Sequence, residues 1–205
     1  MQILVLAATE LEIRPFTEAG TDADVLITGV GIPSTLYHLL KRLHQIDYDL
    51  VIQAGIAGTY NDQLQLGKTY WVNRDTFGDL GMEEKDNFTP VFESGFAGKN
   101  EFPFKNGWLL NEHEIIKELA LKPVSAVTVN KVTDSRLQEQ QIRKAFEPDI
   151  ESMEGAALHY VCLQDNIPFI QLRAVSNIVG ERDKTKWKMK EAIHDLNAEL
   201  QNLIT

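Results

Sequence analysis

Short apolar runs alternate with segments of helical periodicity along the chain. The apolar runs, which predict buried strands, are residues 3–8, 25–28, 50–53, 70–73, 126–132 and 169–175. The segments between them predict helices from residue 11, through 36–43, and over 111–120, 137–146, 153–164 and 185–203. Strands that alternate with helices build a mostly parallel sheet with helices on both faces. We therefore expect an α/β fold, a three-layer αβα sandwich around a twisted, mostly parallel mixed sheet.

Length and composition favour one domain that spans residues 1–205. The chain contains 43% hydrophobic and 24% charged residues, close to the averages for soluble globular proteins. No repeat or low-complexity linker divides it, and 205 residues can bury a substantial core. Residues 74–108 are expected to form a long irregular segment rich in phenylalanine. A loop of that length in a compact domain is usually functional or interfacial.

Charge and cysteine content argue against several classes of function. The formal net charge of −10 argues against a nucleic-acid partner, because such surfaces need clustered Lys and Arg. The apolar run 3–8 is too short to span a membrane, so no membrane association is expected. Cys162 is the single cysteine, which fits a reducing, cytoplasmic location. The histidines show no metal-ligand spacing, so we expect no metal.

Tight turns follow several predicted strands, at the edge of the sheet where α/β proteins bind their ligands. Gly29 and Gly31 lie in the first of these turns, and Gly55 and Ile56 lie in the second. Glycine allows the backbone to approach a ligand closely. The first turn lacks the third glycine of a dinucleotide-binding loop, so no NAD-type cofactor is expected.

Acidic, basic and amide side chains from distant parts of the sequence predict a shared site. Arg173 lies inside the apolar run 169–175, and a buried guanidinium needs a carboxylate partner. Glu154, which follows Met153, or Glu12 could supply it. Glu154 also has a simpler interpretation as an ordinary helix residue, and Glu12 has one as an acid that complements a helix dipole. With Asn177 just beyond the strand, the set is typical of a site that holds a ribose and a base.

These residues resemble the nucleoside phosphorylase/nucleosidase superfamily and, within it, the futalosine hydrolases. The resemblance covers essentially the whole chain. Its most specific parts are Ser152-Met153-Glu154-Gly155-Ala156-Ala157 and Arg173-Ala174-Val175-Ser176-Asn177. The weaker parts are Ala8-Thr9-Glu10-Leu11-Glu12, Gly29-Val30-Gly31 and Ala54-Gly55-Ile56-Ala57-Gly58.

The resemblance implies a role for each candidate residue. Glu12 would be the base that activates the attacking water, and Glu154 would bind the ribose hydroxyls. Met153 would lie beneath the sugar, and Arg173 would anchor both carboxylates. The resemblance also places further substrate-binding positions at Gly29, Gly31, Gly55 and Ile56, and base-contacting backbone at Val132 and Thr133.

Three departures from the wider superfamily narrow the expected reaction. Asn177 stands where adenosine-cleaving relatives carry aspartate, and an amide can donate to O6 or N7 of a 6-oxopurine such as hypoxanthine. Ile56 replaces a hydroxyl residue, and the turn at Gly29–Gly31 has no arginine, so water is favoured over phosphate. The segment between Phe16 and Val25 is very short, so we expect a hairpin that is common in relatives to be missing, which leaves the geometry of an oligomer open.

The resemblance therefore implies hydrolysis of the N-glycosidic bond of futalosine. The products would be hypoxanthine and dehypoxanthine futalosine, in menaquinone biosynthesis by the futalosine pathway. The alternatives are a phosphate-dependent purine nucleoside phosphorylase, a methylthioadenosine/adenosylhomocysteine nucleosidase, or a non-catalytic nucleoside-binding protein. A homo-oligomer is also implied. Lys99, Lys105 and Asn106 are candidates to bind the C5′ substituent, and their loop is equally a candidate interface.

Overall fold

The computed structural model describes residues 1–204. Ten strands are present: β1 Ile3–Ala7, β2 Asp24–Ile27, β3 Leu50–Thr59, β4 Thr69–Asp75, β5 Gly81–Glu84, β6 Asn87–Pro90, β7 Leu109–Leu110, β8 Pro123–Thr128, β9 Ile150–Ser152 and β10 Phe169–Ile178. Five α-helices accompany them: α1 Glu10–Glu18, α2 Ile32–Leu43, α3 Arg136–Phe146, α4 Gly155–Gln164 and α5 Met189–Ile204. Among these residues, no helix has the length and apolar character needed to cross a bilayer.

The main sheet is mixed and mostly parallel, as the sequence predicts. Strand β3 lies at its centre, parallel to β1 on one side and to β10 on the other. Strand β2 extends the sheet beyond β1, and β4 lies antiparallel to β10 and parallel to β8. The short strand β9 pairs with both β8 and β3, so the twisted sheet curls back on itself at one end.

Two layers of helices cover the sheet, which gives the three-layer αβα sandwich. On one face, α1 and α5 pack their apolar residues around Val5 and Ile52. On the other face, α2 and α4 pack around Leu4 and Val51. Successive residues of a strand point to opposite faces, so a strand covered on both faces is mostly apolar on both. This is why β1 and β3 read as continuous apolar runs in the sequence.

Two segments differ from the sequence-based expectation. The helix predicted over 111–120 is wrong, because the structure has only a 3₁₀ turn at Glu114–Glu118. Asn111 uses its side chain to accept from the His113 N–H and to donate to the Phe169 carbonyl, which ties the backbone to the sheet. The segment 74–108 is not wholly irregular, since β5 and β6 form a hairpin within it. Its turn residues Lys85 and Asp86 both have positive φ, without the glycine that would have signalled the turn.

Candidate active site

A cavity of about 350 Å³ opens at the carboxyl ends of the central strands. Of the predicted site residues, seven line it: Glu12, Ile56, Val132, Thr133, Met153, Glu154 and Asn177. The other four, Gly29, Gly31, Gly55 and Arg173, do not line it, but Gly31 and Arg173 contact Glu154, which does. The fold therefore brings together side chains that are separated by as many as 165 positions in sequence, at the edge where α/β sheets bind ligands.

Glu12 lies in the first turn of α1, with its carboxylate almost fully buried. One oxygen accepts from the Thr9 N–H at 3.0 Å and the Thr9 hydroxyl at 2.9 Å, while the other accepts from the Ile56 N–H at 3.0 Å. Burial raises the pKa of Glu12 above its ordinary value, although the Ile56 N–H and the charge of Arg173 oppose the shift. The raised pKa makes this carboxylate a stronger proton acceptor than an exposed glutamate.

Arg173 is fully buried in the middle of β10, directly behind the two carboxylates. Its Nη1 lies 3.4 Å from Glu154 Oε2, and its Nη2 donates to Gln53 Oε1 at 3.0 Å. Its contact with Glu12 is electrostatic and not a direct hydrogen bond, so the expected anchoring of both carboxylates is direct only for Glu154. The guanidinium thus provides one positive charge for two buried negative ones.

Gly55 makes room for this arrangement. It is the register partner of Arg173 in the pairing of β3 with β10. A Cβ atom at Gly55 would overlap Arg173 Nη1 and lie 3.0 Å from Glu12 Oε1. Only glycine therefore lets the guanidinium lie against the strand and reach the carboxylates.

Glu154 occupies the N-cap position of α4, without a capping hydrogen bond from its side chain, and lines the cavity together with Glu12. Its Oε1 accepts from the Gly31 N–H at 3.1 Å, so its two oxygens are held by the Gly31 backbone and by Arg173. Gly31 has φ +93°, a conformation that favours glycine and aims the N–H at the carboxylate. Gly29, at φ +80°, turns the chain before it.

Asn177 is held in one orientation at the end of β10. The Ser176 hydroxyl donates to Asn177 Oδ1 at 2.8 Å, and Asn177 Nδ2 donates to the Ile178 carbonyl at 2.9 Å. Each amide group therefore makes one hydrogen bond, and Nδ2 keeps a second hydrogen to offer a ligand. Asn177 lines the cavity, so this second hydrogen can serve as a donor to a ligand there.

The sequence analysis missed Glu151, a buried acid that also lines the cavity. It accepts from the Thr133 N–H, the Thr133 hydroxyl and the Tyr60 hydroxyl. The N–H of Thr133 is therefore bonded to Glu151, while Val132 and Thr133 both line the cavity, and contact of this backbone with a base stays a prediction. Glu151 directly precedes the Ser152-Met153-Glu154 motif, in strand β9. That strand is only three residues long, so the sequence contains no pattern that would predict a buried, cavity-lining position for Glu151.

Much of the cavity lining is apolar. Its lining includes Leu11, Trp187, Met189 and Ile193, apolar residues that the sequence analysis also missed. Lys99 and Lys105 do not line it: Lys99 lies 3.6 Å from Glu93, and Lys105 pairs with Glu112.

Comparisons with known proteins agree with this geometry. Residues 8–205 match the family described as the phosphorylase superfamily. Futalosine hydrolase from Streptomyces coelicolor is 28% identical, over 94% of this chain and 91% of its own, and that from Thermus thermophilus is 28% identical, over 98% and 94%. These relatives confirm the resemblance to futalosine hydrolases.

Solved structures show the same fold. Futalosine hydrolase of Helicobacter pylori superposes with a TM-score of 0.81 at 15% identity, covering 100% of this chain and 97% of that one. A methylthioadenosine/adenosylhomocysteine nucleosidase from Neisseria meningitidis, in complex with methylthio-immucillin-A, gives 0.83 at 18% identity, covering 99% and 98%. From the extent of the family match and the shared fold, this chain is a member of the phosphorylase superfamily.

Proposed function

We propose that this protein is an N-glycosyl hydrolase that cleaves futalosine to hypoxanthine and dehypoxanthine futalosine, in menaquinone biosynthesis. The observation that carries the proposal is the pair of buried carboxylates, Glu12 and Glu154, set beside Arg173 in a cavity that also presents the Asn177 amide. The pair can bind a ribose and activate water, and the amide can bind a purine. The futalosine hydrolases among the relatives support this choice of substrate.

In the proposed reaction, Glu12 removes a proton from a water molecule on the face of the ribose opposite the base. The water oxygen bonds to C1′ as the C1′–N9 bond breaks, and the bond's electron pair leaves with the purine. The sugar passes through an oxocarbenium-like transition state, as in other glycoside hydrolysis. The raised pKa of Glu12 supports this role, because a base works best when its pKa approaches the working pH.

Glu154 and Met153 would hold the sugar. The Glu154 carboxylate can accept from the ribose hydroxyls, and its negative charge would stabilise positive charge that develops at C1′. Gly31 and Arg173 fix its position, so it needs no rearrangement when the substrate binds. Met153 offers an apolar surface to the face of the ribose ring.

Asn177 would bind the leaving base. Its Nδ2 can donate to O6 or N7 of hypoxanthine, where negative charge accumulates as the C1′–N9 bond breaks. An amide does not release a proton readily, so the N7 proton would come from solvent.

Water is favoured over phosphate as the nucleophile by the charges around the sugar. A phosphate would need charge-assisted donors, but Glu12 and Glu154 are acids and Arg173 is already paired with Glu154. Ile56 contributes an apolar side chain where a hydroxyl would help to hold phosphate.

The test uses chromatography to measure the base released from futalosine, inosine and methylthioadenosine, each with and without phosphate. We expect hypoxanthine release without phosphate, fastest from futalosine. Release that requires phosphate would make the protein a phosphorylase, and a preference for methylthioadenosine would make it an adenosine-type nucleosidase. Binding without release at high enzyme concentration would indicate a non-catalytic protein.

A further inference from the structure

Glu151 and Asn177 stand on opposite sides of one glycine. Strand β3 lies between β9 and β10, and Gly58 of β3 is the register partner of both Glu151 and Asn177. Neighbouring strands lie about 4.8 Å apart, so the two Cα atoms are separated by roughly 10 Å. All three residues line the cavity. Because Gly58 has no side chain, a slot is left between the carboxylate and the amide.

A side chain at Gly58 would close this slot. Its Cβ atom would lie 3.4 Å from Asn177 Nδ2 and 3.0 Å from a methyl group of Val179. Val179 is buried and lines the same part of the cavity. The slot therefore has an apolar wall with a polar group on each side, which suits a flat, apolar ring system that has polar edges.

Glu151 is held rigidly and keeps capacity to accept one more hydrogen bond. The Tyr60 and Thr133 hydroxyls donate to Oε2, and the Thr133 N–H donates to Oε1 at 2.9 Å. A carboxylate has about four acceptor sites, so one site remains on Oε1. Tyr60 stays a donor because burial, and then the charge of Glu151, raise the pKa of its hydroxyl well above its ordinary value.

A 6-oxopurine matches these two groups better than a 6-aminopurine does. The 6-oxopurine has a hydrogen-bond acceptor at O6 and a donor at N1–H, whereas adenine has a donor at its 6-amino group and an acceptor at N1. We propose that Glu151 accepts from N1–H of the base while Asn177 donates to O6 or N7, and that the pair selects 6-oxopurines. This inference rests on the proposed nucleosidase function and assigns Glu151 as a specificity-determining residue.

Adenine is disfavoured at both positions. Its N1 lone pair would face the acceptor oxygen of Glu151, and its 6-amino group would face the donor nitrogen of Asn177. A site built to bind a polar group discriminates strongly against analogues that leave its buried polar atoms unpaired. If Glu151 served only to hold residues 131–134 against β9, it would not influence which base the site accepts.

The experiment compares kcat/KM for inosine, 1-methylinosine and adenosine in the wild-type protein, in Glu151→Gln and in the control Glu18→Gln. Glu18 is exposed at the end of α1, away from the cavity. We expect wild type to favour inosine over 1-methylinosine by about 10- to 100-fold, the range of a hydrogen bond to a charged group. Glu151→Gln should lower activity on inosine by a similar factor without lowering that on adenosine, because a glutamine amide can donate to N1.

Two results would overturn the assignment while base release itself still occurs. One is equal cleavage of inosine and 1-methylinosine by wild type, and the other is an unchanged inosine-to-adenosine ratio in Glu151→Gln. If Glu151→Gln does not fold, the comparison of inosine with 1-methylinosine in wild type decides alone. Failure of wild type to release hypoxanthine from futalosine under the same conditions would refute the proposed function itself, and this inference with it.

Discussion

Replacing Arg173 by methionine tests the electrostatics of the site. Arg173 is the cation that faces Glu154 directly and lowers the pKa of Glu12, and methionine keeps an unbranched apolar chain in its place. Removing one partner of a buried ion pair costs about 3–5 kcal/mol, because the other charge is left uncompensated. The 3.4 Å separation of Arg173 from Glu154 places the expected loss of unfolding free energy near the lower end, at about 3 kcal/mol near pH 7.

The loss should depend on pH in a defined direction. The folded pKa of Glu12 is already raised above its unfolded value, so the folded state binds more protons than the unfolded state between the two values. Stability therefore falls as pH rises through that window. Arg173→Met removes a charge that lowers the folded pKa of Glu12, so this pKa rises further. The pH range over which stability falls then extends to higher pH. The variant should lose more stability relative to wild type at pH 8 than at pH 5.

Urea denaturation at pH 5 and pH 8 measures this difference. Arg14→Met is the matched control, because Arg14 is exposed on α1 and its replacement should change stability by less than about 0.5 kcal/mol. A cost for Arg173→Met below about 1 kcal/mol, or one that is equal at both pH values, would refute the argument that Arg173 offsets buried negative charge.

Three further predictions concern single residues. Glu12→Gln should retain substrate binding but lower kcat by about 10²–10⁴-fold, the usual contribution of a general base, and near-normal kcat would remove Glu12 from that role. Asn177→Asp should lower kcat/KM for 6-oxopurine nucleosides relative to 6-amino ones, and an unchanged preference would remove Asn177 from base selection. Asp75 is fully buried, and burial raises its pKa to about 7. Stability should therefore fall as pH rises from about 4 to 7, and Asp75→Asn should flatten this dependence in urea titrations.

The sequence could predict the parts of the fold and site whose residues carry strong local patterns. The buried runs of β1, β3 and β10 are apolar at nearly every position because helices cover both faces of the sheet. Arg173 stands out inside such a run, and its need for a carboxylate indicates Glu154 or Glu12, of which the structure places Glu154 3.4 Å away.

Other features depend on tertiary contacts that leave no local pattern. Glu151 joins the cavity only because a three-residue strand pairs with β3 and β8. Asn111 stops a helix that the spacing of Ile115, Ile116 and Leu119 would allow, because its amide bonds to the carbonyl of the distant Phe169. Pairings between residues this far apart are set by the whole fold and not by neighbours in sequence.

The most direct test of the central claim is the identity of both products from futalosine in the presence of phosphate. Purified protein would be incubated with futalosine and excess phosphate, and the products separated and identified by mass spectrometry. The proposed mechanism predicts hypoxanthine together with the free sugar product, dehypoxanthine futalosine. A sugar 1-phosphate in place of the free sugar, or intact futalosine after long incubation, would contradict it.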